Sequence, residues 1–213
     1  MKYKIPEFDF VFLSFDEPNA EHLYSKLVNI VPWCKRVHGI KGFDAAHKAC
    51  AAISDTEFFI TVDGDNLIYP QFLDQEIEIT ELQLDHAWAW AGRNHVNGLV
   101  YGNGGIKLWS KAFVNGMKSH EHAANLAASV DFCWTPGYNE VFGCYSTSVI
   151  NGSSKQAWRA GFREGVKMSL DRGNRIDPAK FKSHLWEGNI NRLCIWASIG
   201  LPLMLGRLWS SKE

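Results

Sequence analysis

Apolar and polar positions alternate in blocks along the first third of the chain. Runs rich in β-branched and aromatic residues are typical of buried strands, and three such runs occupy 9–15, 36–40 and 58–62. Between them, 20–30 has apolar residues every three or four positions and 43–53 is rich in alanine, so both are predicted to be helices. This order of strands and helices predicts an α/β protein with parallel strands and helices on both faces of the sheet.

The third apolar run ends in two carboxylates, in the sequence Val62-Asp63-Gly64-Asp65. If the extended conformation persists, Asp63 and Asp65 project to the same side, and Gly64 leaves room for the close approach of a ligand or another backbone. Ligands of parallel α/β sheets bind outside the carboxyl ends of the strands. Two carboxylates there repel each other unless a cation neutralises them, and Mg²⁺ or Mn²⁺ holding a diphosphate would do so. The alternative is an Asp-Gly turn with two solvated acids.

Segments at the ends of the three runs resemble GT-A-type glycosyltransferases, in particular the small enzymes of tailed phages and some bacteria. The segments are Ser14-Phe15-Asp16-Glu17-Pro18-Asn19-Ala20, Arg36-Val37-His38-Gly39-Ile40-Lys41-Gly42, Ala45-Ala46-His47 and Val62-Asp63-Gly64-Asp65. The likeness covers about the first 70 residues well and the remainder loosely. It implies one GT-A-like, Rossmann-like domain, with a mixed, mostly parallel central sheet flanked by helices.

The resemblance also implies a function for the two parts of this domain. Residues 1–70 would bind a nucleoside-diphosphate sugar such as a UDP-sugar, and residues 71–213, with basic C-terminal helices, would face the acceptor. The reaction would transfer a hexose or pentose to an acceptor hydroxyl, with Mn²⁺ or Mg²⁺ as cofactor. A bound metal ion stabilises the negative charge that develops on the leaving phosphate.

Residues are carried over from the family only where the motifs match. Those implied to bind the nucleotide sugar are Ser14, Asp16, Glu17, Lys41, His47, Asp63, Gly64 and Asp65. The metal ligands would be Asp63 and Asp65, of which Asp65 is the more direct. We expect His184 as a third ligand, because GT-A enzymes often place a ligand beyond the core sheet; the alternative is an ordinary exposed or hydrogen-bonded histidine.

An inverting reaction needs a base for the acceptor hydroxyl. The candidates are Asp131, after an alanine-rich segment, and Glu140, after Pro136-Gly137. Alternatively, Asp131 caps a helix and Glu140 sits in a turn. The sequence leaves open whether the reaction inverts or retains the anomeric configuration.

The middle of the chain predicts a strand at 86–93 and a hairpin at Asn97-Gly98. The glycine-rich segment 101–109 then either lines an acceptor or sugar pocket or forms a plain hairpin. Aromatic faces stack on sugars and bases, so several tryptophans are candidates for a binding wall, although most tryptophans are core residues. The candidates are Trp88, Trp90, Trp109 and Trp134.

Charge is distributed unevenly although the chain carries only −1 overall. Residues 1–150 hold 11 Lys/Arg and 18 Asp/Glu (−7), and residues 151–213 hold 11 Lys/Arg and 5 Asp/Glu (+6). Cations spaced by four predict one basic helix face, formed by Lys155, Arg159, Arg163 and Lys167. This face would bind an anionic acceptor, for which a hydroxylated pyrimidine in phage DNA is one candidate. A solvated face, or cations that hold the donor diphosphate, are the alternatives.

Composition agrees with one globular domain. The five cysteines are odd in number and lack Cys-x-x-Cys spacing, which favours free thiols in a reducing cytoplasm. We expect no signal peptide, because the N-terminus lacks a basic segment followed by an apolar core. We also expect no membrane span, because the apolar stretch 193–206 is too short and contains proline. Besides a glycan- or small-molecule-directed glycosyltransferase, two classes stay open: a nucleotidyltransferase, and a non-catalytic nucleic-acid-binding module.

Overall fold

The computed structural model describes residues 1–96, 98, 100–101, 104–124, 129–130, 135–168, 170–171 and 174–175. In chain order the strands are β1 (Lys2–Lys4), β2 (Asp9–Ser14), β3 (Lys35–His38), β4 (Phe58–Asp63), β5 (Asn66–Ile68), β6 (Glu76–Glu78), β7 (Ala87–Asn94), β8 (Val100–Tyr101), β9 (Ile106–Ser110), β10 (Tyr138–Ser148), β11 (Leu170–Asp171) and β12 (Asn174–Arg175). The helices are α1 (Ala20–Ile30), α2 (Phe43–Ile53), α3 (Lys111–Gly116) and α4 (Ser154–Met168). Single 3₁₀ turns occupy Ile5–Glu7, Pro70–Asp74 and Glu81–Gln83.

One mixed sheet organises the chain, in the order β3-β2-β4-β9-β7-β10-β5, with β8 paired to β7. The pairings of β2 with β3, β2 with β4 and β7 with β10 are parallel. Strand β9 lies antiparallel between β4 and β7, so β7 and β10 run in the same direction as β2, β3 and β4. The predicted α/β class is confirmed, with a mixed sheet in which most strands share one direction.

The sheet is buried on both faces, as the alternation along β4 shows. Ile60 and Val62 belong to an apolar cluster that includes Leu27 of α1. Phe59 belongs to a second cluster that includes Cys50 of α2. The two clusters lie on opposite faces of the sheet and hold α1 on one face and α2 on the other. Full burial of one such side chain contributes about 1.5–3 kcal/mol. The segments that leave the carboxyl ends of β2, β3 and β4 therefore lie along one edge of the sheet.

Predictions for the middle of the chain are confirmed in part. Strand β7 covers the predicted segment, and its antiparallel pairing with β8 forms the predicted hairpin, with Gly98 at φ +71°. Glu140 does not sit in a turn, because it belongs to the eleven-residue strand β10. No helix in the described part of the chain is long and apolar enough to cross a membrane. The segment 193–206 lies outside the described residues.

Candidate functional site

Four carboxylates lie at the carboxyl edge of β2 and β4. Asp16 and Glu17 belong to the β2–α1 loop, residues 15–19, and Asp63 and Asp65 stand at and just after the end of β4. Because β2 and β4 are parallel neighbours, with Leu13 paired to Asp63, the two segments begin at the same level of the sheet. We call these four residues the acidic cluster.

Gly64 allows the two segments of the acidic cluster to approach each other. A Cβ atom on Gly64 would lie 2.7 Å from Ser14 Cβ and 2.8 Å from Glu17 Oε2, which is too close for any side chain. Glu17 is held there because its Oε2 accepts a hydrogen bond of 2.7 Å from the Phe15 amide. Ser14 is buried, and its Oγ contacts His38 Nδ1 of β3 at 2.8 Å. Glycine at position 64 is therefore a packing requirement of this edge.

Asp65 is the most perturbed member of the acidic cluster. Burial is the largest cause that raises its pKa from the ordinary 3.8 to about 6, and the charges of Asp63 and Glu17 raise it further. A hydrogen bond from Asn66 and the charge of Arg163 act in the opposite direction without offsetting these effects. A cation bound beside Asp65 would favour its ionised form and offset the repulsion from Asp63 and Glu17. A strongly perturbed carboxylate among like charges is a recognised mark of a functional site.

Asn66 holds the Asp65 carboxylate in one orientation. Its Nδ2 donates a hydrogen bond of 2.6 Å to Asp65 Oδ1, and its own Oδ1 accepts one of 3.0 Å from Ser148 Oγ of β10. Asn66 is 2% exposed, and a Cβ on Gly105 would lie 2.0 Å from its amide nitrogen. This chain from Ser148 to Asp65 is the kind of support that orients metal-binding carboxylates. The sequence analysis gave no role to Asn66 or Ser148, whereas Gly105 belongs to the glycine-rich segment 101–109 that it singled out.

Asp63 is paired with a cation that the sequence analysis missed. Lys107 of β9 places its Nζ 2.9 Å from Asp63 Oδ2, and the lysine side chain is only 15% exposed. The sequence does show a lysine inside the otherwise apolar strand Ile106-Lys107-Leu108-Trp109. Its partner can be identified only from the pairing of β9 with β4. The pair leaves Asp65 and Glu17 as the less compensated members of the acidic cluster.

Helix α4 brings two of the four predicted basic residues, Arg159 and Arg163, to the acidic cluster. Arg159 Nη1 lies 3.2 Å from Asp16 Oδ2, and the charge of Arg163 acts on Asp65. Lys155 is exposed at the start of the same helix. On the adjoining flank, Trp158 and Phe162 are stacked with ring centroids 5.4 Å apart and are each 60% exposed.

Polar contacts fasten the start of α4 to this edge. Asn19 Nδ2 and Gln156 Nε2 both donate to the Val149 carbonyl, at 3.2 and 3.4 Å. The Val149 amide in turn donates to the Asp65 carbonyl at 2.6 Å. The β2–α1 loop, the segment after β4 and the start of α4 therefore converge on one place.

Two of the predicted site residues are core residues instead. His47 is 4% exposed, with its Nδ1 2.9 Å from the Phe43 carbonyl and its ring stacked on Phe43 at 4.0 Å. Trp109 is 1% exposed and donates a hydrogen bond of 2.8 Å to Thr61 Oγ1. Their burial removes His47 from the surface that would meet a nucleotide and Trp109 from any acceptor wall. The same holds for Trp88 and Trp90, at 4% and 2% exposed.

Of the remaining predicted residues, Lys41 lies in a segment along the same edge, Glu140 lies three strands away from β4, and three residues lie outside the description. Lys41 is exposed in the segment between β3 and α2. Glu140 is exposed on β10 in register with Ala89, with β7 and β9 between its strand and β4. Asp131, Trp134 and His184 lie outside the described residues.

The donor set of the acidic cluster fits one class of metal ion. It offers carboxylate oxygens, which suit hard cations such as Mg²⁺ and Mn²⁺. Among the described residues, no group of three or more His, Cys, Asp or Glu side chains is arranged to hold a metal by itself. Such ions can take only one or two protein carboxylates and complete their shell with phosphate oxygens and water.

No protein-family model and no curated protein matches the chain. Solved structures with a similar arrangement include a glycosyltransferase involved in the glycosylation of the major capsid of PBCV-1, at 11% identity and a TM-score of 0.40, covering 70% of this chain and 98% of the other. They also include 4-diphosphocytidyl-2C-methyl-D-erythritol synthase from Anaerococcus prevotii, at 8% identity and 0.38, covering 87% and 98%. A third is the inositol-1-phosphate CTP transferase from T. maritima, at 11% identity and 0.36, covering 83% and 76%. All three scores are below 0.5, so the α/β assignment rests on the sheet itself.

Proposed function

We propose that this protein is a metal-dependent glycosyltransferase that moves a sugar from a nucleoside-diphosphate sugar to an acceptor hydroxyl. The observation behind the proposal is the convergence of Asp63, Asp65 and Glu17 at the carboxyl edge of parallel strands, where Asp65 has a pKa of about 6. That edge is where α/β sheets bind their ligands. Carboxylates that are held together despite their mutual repulsion favour a bound cation.

Each residue of the edge has a physical role in this proposal. Asp65 and Asp63 would hold Mn²⁺ or Mg²⁺, which when bound supplies a Lewis acid for the leaving diphosphate. Asn66 fixes the direction of the Asp65 oxygen, and Lys107 neutralises Asp63. Gly64 allows the β2–α1 loop to pack closely against the end of β4, which brings Glu17 beside Asp63 and Asp65.

The acceptor side of the proposal rests on charge and on exposed aromatic surface. Lys155 is an exposed cation at the start of α4, and Trp158 and Phe162 add an exposed stacking surface on the same helix. This combination suits an anionic acceptor, and a hydroxylated pyrimidine in DNA is one such substrate. Glu140 and Asp131 stay predictions for the base.

The test is donor hydrolysis by the full chain in the presence of Mn²⁺, with a panel of nucleoside-diphosphate sugars that includes UDP-sugars. We expect Mn²⁺-dependent release of the nucleoside diphosphate, and loss of this release in Asp65→Ala. Asp74→Ala is the matched control, because it removes an exposed carboxylate outside the acidic cluster. Turnover in Asp65→Ala equal to that of the unmodified chain would refute the proposal.

A nucleotidyltransferase is the second candidate, because it also needs carboxylates and a metal ion. Such enzymes normally place a glycine-rich, basic loop after the first strand to bind a triphosphate. Here the β2–α1 loop is Asp16-Glu17-Pro18-Asn19, and the Glu17 carboxylate is fixed against Gly64. Product analysis separates the two, since a nucleotidyltransferase releases pyrophosphate and a glycosyltransferase releases a nucleoside diphosphate.

A further inference from the structure

One ion pair joins two segments of the candidate site that are 143 positions apart in the chain. Arg159 Nη1 lies 3.2 Å from Asp16 Oδ2 and 3.5 Å from Oδ1. The side chains of Arg159 and Asp16 are 52% and 49% exposed. An ion pair this exposed favours its own formation by no more than about fivefold. An anion of higher charge can therefore take Arg159 from Asp16.

Arg159 stays near the acidic cluster without this ion pair. The start of α4 is held by the hydrogen bonds from Asn19 and Gln156 to the Val149 carbonyl, and by Ala157, which is 1% exposed. The Val149 amide binds the Asp65 carbonyl at 2.6 Å. Loss of the contact with Asp16 would therefore free the guanidinium without releasing the helix.

Arg163 lies one helical turn beyond Arg159 and adds a second cation on the same side. Its charge favours the ionised form of Asp65 and so lowers the pKa of that carboxyl, which means that it acts on the acidic cluster through space. Two guanidinium groups spaced by one turn can bind adjacent phosphates, and guanidinium matches phosphate geometry with paired hydrogen bonds.

We propose that Arg159 and Arg163 bind the diphosphate of the donor, and that Asp16 holds Arg159 only until the diphosphate displaces it. The inference deepens the proposed function and rests on it for the identity of the ligand. A diphosphate next to Asp63, Asp65 and Glu17 meets strong repulsion, and these two arginines supply positive charge at the same cluster. Asp16 then pairs with Arg159 only while no ligand is bound. The family resemblance implied a different role for Asp16, a direct contact to the nucleoside.

Calorimetric titration of the full chain with inorganic pyrophosphate and Mg²⁺ tests this inference. We expect Arg159→Ala to weaken pyrophosphate binding about tenfold, because a paired guanidinium–phosphate contact is lost. Asp16→Asn should strengthen binding by up to about fivefold, the most that an exposed ion pair can withhold. Lys26→Ala, which removes an exposed cation of α1, is the matched control and should leave binding unchanged.

The double variant Asp16→Asn/Arg159→Ala separates an exchange of partners from a general change in charge. If Asp16 competes for Arg159, the Asp16 substitution has no effect once Arg159 is absent. The inference is overturned if Asp16→Asn weakens binding, or if its gain persists in the Arg159→Ala background.

Failure of this inference and failure of the proposed function give different results, because pyrophosphate binding involves no sugar and no acceptor. Asp65-dependent donor hydrolysis with unchanged pyrophosphate binding in Arg159→Ala overturns the inference alone. Absence of donor hydrolysis, with the expected binding changes, leaves the diphosphate site in place and overturns the glycosyltransferase assignment.

Discussion

Replacing Asp65 by Asn should stabilise the ligand-free protein at neutral pH, because it removes a half-buried charge from beside two like charges. The pKa of Asp65 rises from 3.8 to about 6 on folding, so between these values the folded chain binds more protons than the unfolded chain. Stability therefore falls as the pH rises through this window. The full cost at pH 8 is about 3 kcal/mol at most, since one pKa unit corresponds to about 1.4 kcal/mol.

Urea unfolding of both proteins, without metal, between pH 4.5 and pH 8 measures this effect. We expect Asp65→Asn to be more stable by about 1–3 kcal/mol at pH 8, with an advantage of about 1 kcal/mol or less near pH 4.5. Asparagine keeps an oxygen that can accept the hydrogen bond from Asn66, so the comparison isolates the charge. Asp74→Asn, an exposed carboxylate, should show no such pH-dependent gain. A variant that is less stable at pH 8, or a gain that does not change with pH, would refute the reasoning.

Two further predictions concern the support of the acidic cluster. Ser148→Ala removes the hydrogen bond that holds Asn66. Mn²⁺ affinity, measured by electron paramagnetic resonance, should therefore fall about tenfold, while the urea midpoint shifts little. An affinity equal to that of the unmodified chain would contradict this role. Gly64→Ala places a Cβ 2.7 Å from Ser14 Cβ and should destabilise the fold by about 1–3 kcal/mol in urea. Gly116→Ala, where nothing lies within 4 Å, is its control, and equal effects of the two would show that the close approach is relieved without cost.

Local patterns of the sequence were sufficient for the elements around the acidic cluster. The helices 20–30 and 43–53 have the predicted bounds, because helical periodicity and alanine content act within a few turns of chain. The apolar run that ends at Asp63 is likewise a buried strand, because a run of apolar, β-branched residues favours a buried strand. The alternation of strands and helices predicted parallel strands. This was enough to place Asp63 and Asp65 at the carboxyl edge of the sheet, where α/β proteins bind ligands.

The contacts between distant segments could not be predicted from the sequence, for a physical reason. Lys107 neutralises Asp63 from 44 positions away, and Arg159 reaches Asp16 from 143 positions away. Neither pairing follows from local periodicity, because each depends on which strands become neighbours and on where α4 docks. The antiparallel insertion of β9 between β4 and β7 decides the first of these.

The sequence by itself determined that this chain is an α/β protein with an acidic pair at the end of a buried strand. Only the tertiary structure decided which other residues share that edge: it added Asn66 and Lys107 and placed His47 and Trp109 in the core. The physical reason is that the type of a residue defines what it can bind. Whether it faces a ligand or an apolar layer depends on the packing of elements that are far apart in the chain.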